Sequence, residues 1–351
     1  MSIRNSMLVA VLSVGVLVVT ACATPTPTPV PPTATRVPPT ATPVPPAPTP
    51  VPPTATKPLP PNALVALKVA SAPKDAADAA WAKATALTVK TSGTGTVSGK
   101  SLEVTAKALW TDTDIYFLFT WSDATESMVK AAWKFDGTKW ERQKDDEDRL
   151  TLMWEITPIA NFATQGCTVA CHGKTMGTNS AAEKGDLWHW KSYRSNPLGF
   201  ADDGYIVKDD PAKPETGRKS DPGGGGDSTN LTAEKDKPAL MQDPAKSPTV
   251  KGLLVKGETV EIKDYATFKA GDTVPYRILS KPDGSRGDIK AVGIWKGGTW
   301  TLFLSRKLKT GNDDDVVFDP SKTYPFSMSV YDDAGDMDKY NSSVLNLVFV
   351  Q

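Results

Sequence analysis

Ser101-Leu102-Glu103-Val104-Thr105-Ala106-Lys107-Ala108-Leu109-Trp110, the turn Thr111-Asp112-Thr113-Asp114 and the run Ile115-Tyr116-Phe117-Leu118-Phe119-Thr120-Trp121 decide the fold class. In the first segment apolar residues recur at every second position, so an extended chain would bury one face and wet the other. The second segment is crowded with aromatics and follows a short polar turn, which makes the pair a β-hairpin. Outward from it the signal repeats. Ala131-Ala132-Trp133-Lys134-Phe135 and Lys139-Trp140-Glu141 flank the turn Asp136-Gly137. Lys144-Asp145-Asp146-Glu147-Asp148 reads as a solvated acidic loop. Leu150-Thr151-Leu152-Met153-Trp154-Glu155-Ile156 reads as a buried strand, and further strands are expected at 251–255, 289–295, 299–306, 324–331 and 343–350. With few helical periods, the expectation is an all-β chain, an antiparallel β-sandwich.

Three regions precede or interrupt that domain. Residues 1–21 carry Arg4, an apolar run from Met7 to Val19 and small residues before Cys22, the pattern of an export signal. Val19-Thr20-Ala21-Cys22 resembles a bacterial lipoprotein processing box, so Cys22 is the expected lipidation site and the membrane anchor. Residues 22–62 hold more than half of the chain's 30 prolines with Thr, Val and Ala between them, and read as a disordered, polyproline-like stalk. The expected location is therefore the extracytoplasmic side of a bacterial membrane. Residues 63–351 are the expected folded domain, with 208–250 as a flexible insertion. The run Gly223 to Gly226 lacks the following lysine of a phosphate-binding loop. Forty basic and forty acidic residues cancel, which speaks against nucleic acid as a partner.

Chemistry is concentrated in Cys167-Thr168-Val169-Ala170-Cys171-His172, which contains two of the 3 cysteines and one of the 2 histidines. A covalently attached haem needs two thiols for its vinyl groups and an imidazole beside the second thiol. Cys-x-x-Cys-His is the usual spelling, and this stretch is one residue longer. Cys167 and Cys171 are then the attachment residues and His172 the proximal iron ligand. The other histidine, His189, lies in Asp186-Leu187-Trp188-His189-Trp190-Lys191 and is the candidate distal ligand, with Trp188 and Trp190 as pocket walls. Met176, Met241 and Lys307 are the alternative distal ligands, since axial ligand types vary among haem proteins. Other readings of the thiols stay open: a Cys167–Cys171 disulfide in an oxidising compartment, a zinc site adding His172 and His189, or a redox-active dithiol. No nucleophile with an oriented base accompanies the motif, so an electron carrier is expected rather than an enzyme.

The order of the hairpin, Asp148 to Glu155, Cys167 to His172, Asp186 to Lys191, Gly298 to Arg306 and Tyr324 to Asp332 resembles the ethylbenzene dehydrogenase-related haem-binding domain, also called the cytochrome c-552/DMSO reductase-like haem-binding domain. The resemblance spans residues 64–351 and implies an immunoglobulin-like β-sandwich that holds one haem and passes electrons. Some relatives are subunits of molybdenum enzymes and hold haem b between methionine and lysine. This chain departs from them by carrying Cys167, Cys171 and His172, which implies one covalent haem c and a monohaem c-type cytochrome. The implied partners are redox proteins, among them a molybdenum oxidoreductase. The competing class is a carbohydrate-binding-like surface lipoprotein, in which aromatics meet sugar rings and Cys167–Cys171 is a disulfide.

Overall fold

Thirteen strands form one hydrogen-bonded sheet among the residues that the computed structural model describes, which are 58–170, 176–210, 212 and 217–351. They are β1 (Ala63–Lys68), β2 (Leu87–Gly93), β3 (Glu103–Trp110), β4 (Asp114–Ser122), β5 (Arg149–Thr157), β6 (Lys184–Lys191), β7 (Asp202–Ile206), β8 (Arg218–Ser220), β9 (Lys290–Trp295), β10 (Thr299–Lys307), β11 (Thr323–Tyr331), β12 (Tyr340–Ser342) and β13 (Leu345–Val350). The leader, Cys22, most of the proline-rich stretch, Cys171 and His172 lie outside the described residues. No described helix is long and apolar enough to cross a membrane.

The deciding hairpin is present: β3 pairs antiparallel with β4, from Val104 opposite Trp121 to Trp110 opposite Ile115. From it the sheet runs through β10 to β9 on one side. On the other it runs through β2, β12, β11, β5, β6 and β7 to β8. These two halves lie face to face, because their inward residues meet across one core. Trp121 of β4 and Trp300 of β10 meet Trp190 of β6 edge-on, with centroids 6.0 and 5.0 Å apart. Phe117 of β4 meets Trp154 of β5 at 5.8 Å and Trp188 of β6 at 5.9 Å. The result is the expected all-β sandwich. It departs from pure antiparallel pairing at β1, which runs parallel to both β13 and β3.

Two expectations are corrected. The 208–250 stretch, read as a flexible insertion, contributes β8 and two further short strands, Gly226–Thr229 and Leu240–Gln242, to paired sheets. The last two belong to a small lobe with its own core of Trp133, Trp140, Leu254, Val274, Tyr276 and Ile278. Asn230 orders it: the buried amide accepts from the backbone N–H of Ala239 and Leu240 and donates to the carbonyls of Leu240 and Pro275. A polar sequence is ordered here by complete hydrogen bonding rather than by apolar periodicity. The acidic loop is likewise not solvated throughout, since Glu147 and Asp148 are fully buried. Glu147 accepts from the backbone of Tyr193 and Arg194 and pairs with the Arg194 side chain. Asp148 accepts from Ser127 N at 2.8 Å, Asp333 N at 3.0 Å and Trp300 Nε1 at 2.9 Å.

Trp154 is the packing centre of the core half nearest β11, stacked on Phe326 with centroids 4.4 Å apart and edge-on to Phe318 at 5.1 Å. Trp154→Ala is expected to lower the unfolding free energy by about 3–5 kcal/mol in urea denaturation, while Trp154→Phe loses clearly less.

Candidate functional site

The outer face of β6, β5 and β11 carries the site. Register places His189 opposite Thr151 and Thr151 opposite Ser329; one step along, Leu187 faces Met153 and Met153 faces Ser327. These six side chains share a face because alternate residues of a strand point the same way. The intervening residues therefore point to the other side. Trp188 and Trp190 pack in the core between the two sheet halves, where Trp188 meets Phe117 and Trp154. Their expected role as walls around His189 is thereby corrected: a strand cannot present three consecutive side chains to one cleft.

The connection from β5 to β6 covers this floor. It makes a short helical turn, Phe162–Gln165, and a tighter one, Gly166–Val169. Cys167 is buried there against an apolar patch with Met153, Phe162, Leu187 and Ile206. Its backbone N–H donates to Ser327 Oγ at 3.0 Å, which fastens the turn to β11. Gly166 makes the approach possible. It sits at φ +63, and a Cβ in its place would collide with the same Ser327 Oγ.

Cys167, Met176, Arg218, Tyr331, Met337 and Lys339 join the floor residues around a cleft of about 100 Å³. Cys167, His189 and Met176 are thus brought together. Met241 is 37% exposed and lines a separate cleft with Val129 and Leu253, and Lys307, at the end of β10, borders another beside Tyr116. Neither reaches the His189 cleft.

The electrostatics are one-sided. Arg218 lies 2.7 Å from His189 Nδ1, and since a guanidinium only donates, Nδ1 is the acceptor. The ring proton is then on Nε2, a buried atom without a hydrogen-bond partner among the described residues. Burial, followed by the charges of Lys191, Arg218, Arg149 and Arg194, holds the imidazole well below the ordinary histidine range. Arg149 lies over the Tyr331 ring at 4.4 Å and pairs with Asp336 at 2.6 Å. Lys191 pairs with Asp202, which also accepts from Arg286.

Several of these residues were not legible beforehand. Arg218 lies in the polar stretch read as flexible. Ser327 and Ser329 did leave a signal, as hydroxyls at every second position of Phe326-Ser327-Met328-Ser329-Val330, a polar face within an otherwise apolar strand.

An all-β domain with a cysteine-bearing turn laid over a histidine-bearing sheet face is the class that fold and site define. The chain belongs to the ethylbenzene dehydrogenase family, whose sequence profile matches residues 78–343. Among functionally curated proteins none matches its sequence. Similar solved structures include a carbohydrate binding module family 9 from Caldicellulosiruptor kristjanssonii in complex with glucose, with 7% identity, a TM-score of 0.34, and coverage of 82% of this chain and 95% of that one. A putative carbohydrate-binding protein from Bacteroides uniformis has 7% identity and a TM-score of 0.33, covering 82% of this chain and 99% of that one.

The buried histidine sets a pH dependence. The unfolded chain takes a proton on this residue near its usual value of 6.5, and the folded chain does not. Stability from this group is present above that pH and is lost as pH falls through it, at about 1.4 kcal/mol per pH unit. Urea midpoints measured between about pH 5 and 6.5 should show that slope, and His189→Gln should flatten it.

Proposed function

We propose that this chain is a one-haem electron carrier that binds the group in the cleft between the 166–169 turn and the outer face of β5, β6 and β11. The single observation that carries the reading is convergence. Cys167 of the Cys-x-x-x-Cys-His stretch and His189, whose buried Nε2 has no hydrogen-bond partner among the described residues, border the same cleft, although they lie on different elements. The donor set fits a haem. There is a thiol for one vinyl group, with Cys171 and His172 completing the motif in the sequence, an imidazole nitrogen, the thioether of Met176 and cationic side chains, Arg218 and Lys339, for carboxylates.

A haem held there supplies a one-electron couple; the protein supplies everything else. Met153, Leu187 and Cys167 give an apolar floor that excludes water. Arg218 decides whether His189 is available: Nε2 can ligate only if its proton leaves, and a proton on Nδ1 requires Arg218 to turn away. Met337, 60% exposed at the rim, gives a partner protein an apolar lip to approach. The family membership supports an oxidoreductase-related role, so the proposed partners are redox proteins, a molybdenum oxidoreductase among them. The export signal and Cys22 support a lipid-anchored location outside the cytoplasmic membrane.

A second reading has its own observation. Met176 and Lys339 border the same cleft, so the methionine and lysine that hold haem b in the resembled relatives have their residue types here. Expression with a cytochrome c maturation system, followed by an absorbance spectrum and acid-acetone extraction, separates the two. A reduced α-band that stays with the polypeptide, and is lost on extraction from the double variant Cys167→Ser/Cys171→Ser, is the expected result. Haem that washes out of the parent protein supports the b-type reading with Met176 and Lys339. Absence of haem after full maturation sinks both, and leaves the Cys167–Cys171 disulfide-bearing binding module. Within the covalent reading, His189→Ala should convert a low-spin spectrum to a high-spin one, whereas Met241→Ala and Lys307→Ala should leave it unchanged.

A further inference from the structure

On the core side of β6, opposite the cleft, lies a second concentration of charge that no electron-transfer role uses. Asp186, Asp203 and Asp315 are buried and each offers an oxygen within 4.8 Å of the others. Arg306, fully buried, donates to Asp186 at 2.7 Å and to Asp315 at 3.0 Å. One guanidinium does not balance the set. Asp221, only 3% exposed, interacts electrostatically with Asp186, Asp314 and Asp315. Neither of its carboxylate oxygens has a hydrogen-bond partner among the described residues. Asp186 Oδ1 and Asp314 Oδ2 are orphaned in the same way, and Asp203 Oδ2 has only Arg306 Nη1 at ion-pair distance, 3.9 Å. Buried carboxylates without donors are costly, and the usual compensation is a bound cation or a proton.

We propose that Asp186, Asp203 and Asp315, with Asp221 beside them, hold a calcium ion. The donors are all carboxylate oxygens, which selects a hard cation, and a cage built from protein oxygens suits calcium better than magnesium, which keeps several of its waters. Orphaned carboxylate oxygens are what such an ion would coordinate. The ion would join the start of β6, the middle of β7, the residue after β8 and the 308–318 loop. It would therefore brace from behind the strand that carries His189.

A rival cluster of Asp123, Asp148 and Asp332 is weaker, because Asp332 is exposed and both oxygens of Asp148 already accept hydrogen bonds. The test uses the whole chain, purified without chelator, by elemental analysis for calcium and by thermal melting after chelator treatment, with calcium or magnesium added back. One calcium per chain, and a Tm raised by about 5 °C by calcium and clearly less by magnesium, is the expected result. Asp203→Asn and, separately, Asp221→Asn should remove most of that shift, while Asp123→Asn should keep it. If one aspartate variant does not fold, the other and the elemental analysis still decide. No bound calcium together with a melt unmoved by calcium overturns the proposal and assigns protons to the cluster. A shift lost in Asp123→Asn but retained in Asp203→Asn overturns it as well. None of these readouts depends on the presence of haem.

Discussion

A guanidinium without access to water holds the two halves of the sandwich in register. Arg306, near the end of β10 on one half, reaches Asp186 near the start of β6 on the other, and takes in Asp315 and the carbonyl of Val316 from the loop beyond. Its plane lies 4.6 Å over Trp188 and 5.4 Å over Phe318, so charge and aromatic packing fix the same atoms. Removing one partner of such a buried pair leaves the other charge stranded, which is far more costly than replacing both. Everything the sheet displays downstream of Asp186, including His189, depends on where this contact sets the strand.

From that anchor, alternation does the sorting. Asp186, Trp188 and Trp190 face the core, while Leu187 and His189 face outward to Met153, Thr151, Ser327 and Ser329. One strand thus presents a hydrophobic and ionic face to the interior and a mixed face to the cleft. A slip of one residue would exchange the two sets and bury His189 where an indole belongs.

How far this was readable varied with the physics involved. The β3–β4 hairpin was legible because its apolar residues alternate and one polar turn separates them. At β5 the run Leu150-Thr151-Leu152-Met153-Trp154 is nearly apolar throughout, so its two faces could not be told apart, although they serve the core and the cleft separately. Trp188 and Trp190 were drawn to His189 by adjacency in sequence, which in a strand means opposite faces. The cysteine and histidine segments were legible as chemistry, but not their meeting, which rests on Gly166 and the hydrogen bond from Cys167 to Ser327, more than a hundred residues apart. Asn230 and the buried Glu147 were hidden because polar residues reveal their burial only through their partners.

The floor of the cleft has a consequence for when the protein becomes competent. Its six side chains come from strands at 149–157, 184–191 and 323–331, and the turn bearing Cys167 is fastened to the last of these. β5 and β6 can pair early, since they are neighbours in the chain. The third wall waits on a contact of large sequence separation. Until β11 arrives, the thiol turn lacks the hydroxyl acceptor that fastens it. If a haem is attached at Cys167, as proposed, attachment on a nascent chain would act on an open loop, and shielding from water would come only with completion of the sandwich.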